Sequence, residues 1–142
     1  MADFILITGD KAMFNPNFGQ AIITVRPGDL IGTGKDKINQ KLVCVDGDEK
    51  ILTVPGCPYI TSQYSIPGMG MLVIESLAAN QKAQKTKSGG KPVLLKGGQF
   101  QAKFTVMVPA QQPSSPNPIP DSTPQYSGTG TFISMNQIVK GT

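Results

Sequence analysis

The sequence predicts an all-β protein made of short antiparallel strands joined by tight turns. Runs of about four to six β-forming residues recur roughly every ten residues, and each run is followed by Gly or Pro. Residues 100–108 alternate apolar and polar side chains, which is typical of an antiparallel strand with one buried face. The chain has 142 residues, 16 of them Gly and 12 Pro, and this length favours one domain.

The chain is organised around residues 43–64, which hold both cysteines. Residues 46–48 (Asp-Gly-Asp) stand between β-forming residues and predict a hairpin, because Asp and Gly tolerate the positive φ of tight hairpin turns. Residues 55–58 (Pro-Gly-Cys-Pro) are expected to end the second strand of that hairpin. A third strand is predicted to begin at Tyr59.

Strands are predicted on both sides of this centre, at residues 4–8, 21–26, 93–95, 100–108 and 128–133. Residues 11–18 predict a loop or a short irregular strand. Residues 75–83 contain helix-forming residues without Gly or Pro, so one short helix stays open there as an alternative to an extended segment.

Residues 110–124 carry five prolines in fifteen positions, which excludes a helix or a central strand. They predict an extended linker or an arm that wraps the body. The expected organisation is a β body over residues 1–109, a Pro-rich arm over 110–125, and a C-terminal strand and tail over 126–142.

The formal net charge is +4, from 13 basic and 9 acidic residues, and the lysines are scattered along the sequence. The densest group, Lys82, Lys85, Lys87 and Lys91, contains no aromatic residue for stacking on bases. We interpret it as a solvated face or loop, with a polyanion contact as the weaker alternative, and predict no nucleic-acid partner. The N-terminus has neither the basic start nor the apolar run of a signal peptide, so synthesis in the cytoplasm is expected.

The chain contains no histidine, which removes the commonest general base and the commonest transition-metal ligand. No phosphate-binding loop is present, and Asp46, Asp48 and Glu49 lack the later acidic ligand of a calcium loop. Two carboxylates could still converge in space for hydrolysis, but no motif favours it. We therefore do not predict an enzyme.

Cys44 and Cys57 have three interpretations. The first is that both are small buried apolar residues, as free cysteines usually are. The second is that both are ligands of a zinc or iron ion that other groups complete. The third is a disulfide formed after release from the cell. The identity of any cofactor stays open, with zinc or iron as the metal alternative.

Several stretches together resemble the PAAR-like proteins of contractile injection systems. They are residues 4–10 (a strand followed by Gly-Asp), 11–14 (KAMF), 27–34 (PGDLIGTG), 55–57 (PGC) and 90–97 (GKPVLLKG). The resemblance covers roughly residues 4–108 and consists mainly of short strands with Gly and Pro turns. It points to the spike of a type VI secretion system, an extracellular injection particle or a phage-tail-like baseplate.

The resemblance implies a small cone or pyramid whose flat base caps a trimeric β-helical spike protein, VgrG-like or of the phage-tail kind. One copy per trimer is expected, with transient contact with a target membrane and an effector protein as an optional cargo. The family's apical zinc is held by three histidines and a cysteine, and this chain supplies only cysteines, Cys44 and Cys57. The implied location is the spike of an injection particle, in some systems released from the cell.

We therefore interpret the chain as a structural tip that caps and sharpens the spike and helps to pierce the target membrane. The alternative is a stand-alone β-barrel or sandwich binding module that uses the Pro-rich segment as an interaction arm.

Overall fold

The computed structural model describes residues 3–114 and 117–142 and confirms the all-β class. Its largest element is a curled antiparallel sheet. Within the described residues there is no helix of seven or more residues, only the 3-10 turns Asp48–Lys50 and Ala79–Gln81. Of the short helix left open at residues 75–83, only the 3-10 turn Ala79–Gln81 forms, because the preceding strand runs to Ser76 and another begins at Lys82.

The strands of the described residues are numbered here in chain order. In the first half they are β1 (Asp3–Phe4), β2 (Lys11–Phe14), β3 (Asn17–Phe18), β4 (Ala21–Ile23), β5 (Gly28–Asp29), β6 (Lys37–Ile38), β7 (Lys41–Leu42) and β8 (Thr53–Thr61). In the second half they are β9 (Gly68–Ser76), β10 (Lys82–Ser88), β11 (Lys91–Leu94), β12 (Gln99–Val108), β13 (Gln111–Gln112), β14 (Ile119–Pro120), β15 (Gln125–Ile133) and β16 (Lys140–Gly141).

The main sheet closes on itself. Its strand order is β3-β4-β8-β9-β12-β15-β2-β5, yet β2 and β3 are separated by only two residues in the sequence. Residues 11–18 therefore act as one bent strand that pairs with β15 through its first half and with β4 through its second. The closed body thus consists of three consecutive hairpins, formed by residues 11–23, β8 with β9, and β12 with β15.

Aromatic rings fill the inside of this closed sheet. Phe100, Ala102 and Phe104 on β12 are fully buried, which confirms the predicted alternation over residues 100–104, whereas Val106 is half-buried and Val108 is 56% exposed. Phe100 packs edge-on against Phe14, with ring centroids 5.4 Å apart. Gly130 on the neighbouring strand lies against Phe100, where a Cβ would come within 2.7 Å of the ring. Small residues therefore make room for large rings across the pair of strands.

The hairpin expected at residues 46–48 is wrong. Val43 and Val45 bridge to Ile7 and Val93, whereas β8 pairs with β4 and β9. The physical reason is Asp48, whose carboxylate accepts the backbone N–H of Val45 at 2.8 Å. That bond turns the chain into the 3-10 turn Asp48–Lys50 instead of leading it back along the preceding strand.

Residues 55–58 do not end a strand, contrary to the expectation. β8 continues through them, and its register with β9 shifts between Val54 and Cys57, as at a β-bulge. Gly56 has φ +70° at this shift. A bulge leaves residues outside the ladder of hydrogen bonds, and Pro is tolerated there.

The described parts of the Pro-rich segment lie against the body at both of its ends. Ala110 is fully buried, β13 pairs with β14, and the N–H of Val106 donates to the carbonyl of Pro124. Ser115 and Pro116, like Met1 and Ala2, fall outside the described residues. The division at residues 109/110 and 125/126 stays a prediction.

Candidate functional site

Three segments, residues 5–7, 43–45 and 93–95, form a triangle across one end of the closed sheet. Their central residues are Leu6, Cys44 and Leu94. The N–H of Leu6 donates to the carbonyl of Leu94 at 2.9 Å, and that of Leu94 to Cys44 at 2.8 Å. The N–H of Cys44 donates back to Leu6 at 2.9 Å and closes a ring of three hydrogen bonds.

A second set of three bonds repeats the same arrangement one step further out. In each of these bonds the donor is the backbone N–H two residues after one central residue. The acceptor is the backbone carbonyl two residues before the central residue of another segment. The pairs are Thr8 to Leu42 at 2.9 Å, Asp46 to Pro92 at 2.8 Å, and Lys96 to Phe4 at 2.9 Å. Each segment is therefore paired with both of the others, so the triangle has approximate threefold symmetry within one chain.

Side chains alternate between the two faces of this triangle, as in any strand. The central residues Leu6, Cys44 and Leu94 are fully buried in the core of the closed sheet. The six residues that flank them form, together with Ala83 of β10, a second, separate core on the other face. Its buried members are Ile5, Ile7, Val43, Val45, Ala83, Val93 and Leu95.

A two-stranded pair leads into each segment of the triangle. Strands β6 and β7 turn at Asn39 and Gln40, and β10 and β11 turn at Gly89 and Gly90. All four turn residues have positive φ, as the tightest hairpin turns require. The pair that leads into the third segment, residues 5–7, is β16 with β1, and it brings residues 140–141 beside residues 3–4.

A glycine with positive φ follows each central residue at the same distance, at Gly9, Gly47 and Gly97. In two of the three repeats an aspartate comes next. Asp10 accepts the N–H of Ile7, and Asp48 that of Val45, both at 2.8 Å.

The third repeat departs from this pattern, because Gly98 stands where the aspartate would be. There the N–H of Leu95 donates to the backbone carbonyl of Gln81 at 2.9 Å. The N–H of Leu95, which is equivalent to those of Ile7 and Val45, therefore bonds to a backbone carbonyl instead of an aspartate side chain.

Lysines occupy equivalent positions in the three strand pairs. Lys37 lies opposite Leu42, Lys87 opposite Pro92, and Lys140 opposite Phe4. All three lysines are exposed, and their apolar partners are half-buried. The ammonium of Lys140 stands 4.9 Å from the centre of the Phe4 ring, within the range of a cation–π contact.

We call residues 3–9, 35–47, 82–97 and 140–142 the threefold cap. It contains nine lysines against three aspartates, a formal charge of +6. The rest of the chain has four basic and six acidic residues, a formal charge of −2. Lysines that are scattered in the sequence are therefore gathered at one end of the molecule, and this concentration of charge was missed in the sequence.

The opposite end, which we call the Pro-rich pole, does not keep the threefold repeat. The three body hairpins are closed there by loops of very different length, residues 19–20, 62–67 and 109–124. The first is a two-residue turn, and the third is the Pro-rich segment. The approximate threefold symmetry is thus confined to the cap and to the three strand hairpins of the closed sheet.

A buried polar cluster ties the Pro-rich pole together. The hydroxyls of Tyr59 and Tyr126 donate to Asp121 at 2.9 and 2.6 Å, and the N–H of Thr123 donates to its other oxygen at 2.9 Å. Burial raises the pKa of Tyr59 to about 12. Burial alone would also raise the pKa of Asp121, but the hydrogen bonds led by Tyr126 outweigh it and lower that pKa.

The two cysteines predicted as metal ligands both lie in the main core, fully buried and free of a disulfide. The thiol of Cys57 donates to the carbonyl of Val54 at 3.6 Å. Burial raises the pKa of the Cys44 thiol well above its ordinary range, which disfavours the thiolate that a metal would need. Among the described residues no group of three Cys, Asp or Glu could hold a metal. The zinc or iron site stays a prediction.

A pocket of about 370 Å³ contains two carboxylates, Asp29 and Asp48. Both have structural partners. Asp29 pairs with Lys11, and Asp48 accepts the hydroxyl of Thr33 at 2.6 Å as well as the N–H of Val45. These bonds give both carboxylates a partner within the protein, although the Asp29 side chain is 67% exposed.

The closed antiparallel sheet and the hydrogen-bonded triangle define an all-β protein with approximate threefold symmetry within one chain. The family model described as "Contractile injection system spike tip protein" matches residues 1–142. The chain belongs to that family, which confirms the resemblance seen in the sequence. A comparison with curated proteins gave no match. Among the described residues, no helix is long and apolar enough to cross a membrane.

Proposed function

We propose that the protein caps the trimeric central spike of a contractile injection particle, with one copy on three spike chains. The observation that supports this most directly is the triangle of residues 5–7, 43–45 and 93–95, whose backbone bonds repeat three times in one chain. A single chain can meet three identical chains equally well only if it offers the same surface three times.

A tip that transmits force from a contracting sheath to a target membrane must not deform. The six bonds of the triangle fix three chain segments of distant sequence to one another. The aromatic core lies on one face of the triangle and the second core on the other. Close packing on both faces makes this end resistant to shear, and we propose that the protein sharpens the spike and helps it to pierce the membrane.

The test is the mass of the complex formed with the trimeric spike protein of the same particle. The two proteins are co-expressed and purified, and the intact assembly is weighed by native mass spectrometry. One copy of this chain per three spike chains is the expected result. A monodisperse monomer that leaves the spike unbound would contradict the proposal.

The alternative function is a binding module that uses the Pro-rich segment. It is favoured by apolar side chains exposed at the Pro-rich pole, among them Met69, Met107 and Val108. On this view the pole holds a partner protein or an effector cargo. A pull-down with the particle's effector proteins, which fails when Met107→Glu is introduced, would support it. Neither function involves catalysis.

A further inference from the structure

We infer that the threefold cap is the docking face, and that Lys37, Lys87 and Lys140 bind three symmetry-related carboxylates at the end of a threefold-symmetric protein partner. This inference rests on the proposed function and adds the orientation of the molecule and the chemistry of the contact.

Symmetry distinguishes the two ends. At the cap, two of the three strand pairs turn through two residues each, at 39–40 and 89–90, and the third is open at the same place. At the Pro-rich pole the loops span residues 19–20, 62–67 and 109–124. A threefold partner at that pole would meet three different surfaces, whereas at the cap it would meet three similar ones.

Charge points to the same end and indicates an acidic partner surface. The cap carries a formal +6, against −2 for the rest of the chain. Within residues 3–114 and 117–142 the ion pairs are Lys82–Asp46 and Lys11–Asp29. The three equivalent lysines are in neither pair, so their ammonium groups are available to carboxylates of a partner.

Each lysine is presented in the same way. It is exposed on one strand, and the residue opposite it is apolar and half-buried, namely Leu42, Pro92 or Phe4. An apolar patch beside a cation suits a partner strand that ends in an acidic side chain. Burying the patch excludes water from the ion pair and strengthens it relative to a fully exposed pair.

The experiment measures the affinity of the full-length chain for the trimeric spike protein, with each lysine changed to Gln singly and all three together. We expect each single variant to weaken binding about three- to tenfold, and the triple variant about 30- to 1,000-fold. The three single effects should agree within about twofold, because the sites are equivalent. Affinity of the unchanged protein should fall with added salt.

The matched control changes Lys11, Lys50 and Lys103 of the body to Gln, which removes the same net charge outside the cap. It should bind like the unchanged protein. Equal weakening by the control would overturn the inference, since net charge alone would then explain the effect. So would one strong single effect with two negligible ones. Thermal unfolding of every variant verifies that the fold is intact.

The failures of the two proposals are distinguishable. If the unchanged protein does not bind the spike, the proposed function fails. If it binds with one copy per trimer and the triple lysine variant binds equally well, the docking inference alone fails. Loss of binding by Met107→Glu in place of the lysine variant would put the docking face at the Pro-rich pole. Lysine-dependent binding to anionic phospholipid vesicles, without any effect on the spike complex, would also overturn it.

Discussion

Lys140 lies directly opposite Phe4, with its ammonium 4.9 Å from the centre of the aromatic ring. This pair joins residues near the two ends of the sequence in one antiparallel ladder. It occupies the place that complete hairpins hold in the other two repeats, β6–β7 and β10–β11. The threefold cap is therefore built from two closed hairpins and one open one.

A circular permutant should fold as the original chain does. Gly141 is joined to Asp3 through Gly-Gly, which copies the turn at Gly89 and Gly90, and the chain is opened between those two glycines. Apart from the loss of residues 1–2 and of Thr142, only the position of the opening among equivalent turns changes, so we expect the same far-UV circular dichroism spectrum and cooperative unfolding. A control permutant opened inside β12, between Ala102 and Lys103, should not fold. Failure of the first permutant would contradict the equivalence of the three pairs.

Asp121→Asn should destabilise the protein by about 1–3 kcal/mol, because the buried donors that now share a carboxylate lose part of their bonding. Urea unfolding followed by tyrosine fluorescence measures the change. Asp29→Asn is the matched control, since it removes a carboxylate whose side chain is 67% exposed, and it should cost less than about 0.5 kcal/mol. Equal effects of the two variants would contradict a structural role for the cluster.

The same cluster predicts how stability depends on pH. The pKa of Asp121 is lowered by folding, so its contribution is present above its ordinary value of about 3.9 and is lost as pH falls through the folded value. The pKa of Tyr59 is raised to about 12, so its contribution is lost as pH rises from about 10 towards 12. The stability difference between the unchanged protein and Asp121→Asn should therefore shrink below about pH 4. A difference that is constant from pH 2 to 7 would contradict this.

Cys44→Ser should destabilise the protein by about 1–3 kcal/mol, because it places a hydroxyl in an apolar site with no exposed surface. Cys44→Ala is the control for lost volume and should cost less. Elemental analysis of the same samples tests the metal prediction. Zinc or iron at one equivalent in the unchanged protein, lost in both variants and in Cys57→Ala, would establish the site, and metal-free protein would leave both cysteines as core residues.

Gly130→Ala should cost about 1–3 kcal/mol or more, because its Cβ would lie 2.6 Å from the carbonyl oxygen of Met13 and against the ring of Phe100. Gly98→Ala is the matched control, with its nearest neighbour at 3.5 Å, an ordinary contact. Thermal unfolding of the two variants gives the comparison. Similar melting temperatures would show that β15 moves away from the ring without strain.

The strand class and several strands were predictable because they depend on local patterns. The alternation at residues 100–108 predicts one buried face, and Phe100, Ala102 and Phe104 confirm it for the first half of the strand, whereas Val108 is exposed beside the Pro-rich pole. The conformation of residues 46–48 could not be predicted from the local pattern alone. Asp-Gly is compatible with more than one turn, and the bond from Val45 to Asp48 selected the 3-10 turn. Tertiary pairing with Ile7 and Val93 then fixed the strand partners.

The threefold cap was hidden in the sequence for different reasons. Its central residues are two leucines and a cysteine, Leu6, Leu94 and Cys44, and they are unequally spaced along the chain. One repeat is divided between residues 140–141 and 3–9, so no linear comparison aligns it with the others. The pattern that could have revealed it is a charged residue, four apolar residues, one polar residue and then a glycine, as at residues 3–9, 41–47 and 91–97.

A cap that repeats three times fits a threefold partner in three orientations, 120° apart. If the contact is made through the cap alone, these orientations are nearly equal in energy, and each particle adopts one of them at assembly. The three equivalent orientations favour binding by an entropic contribution of RT ln 3, or ~0.65 kcal/mol at 25 °C. The Pro-rich pole, with its single long loop at residues 109–124, would then face a different azimuth on different particles. Images averaged with threefold symmetry would blur that pole while keeping the cap sharp.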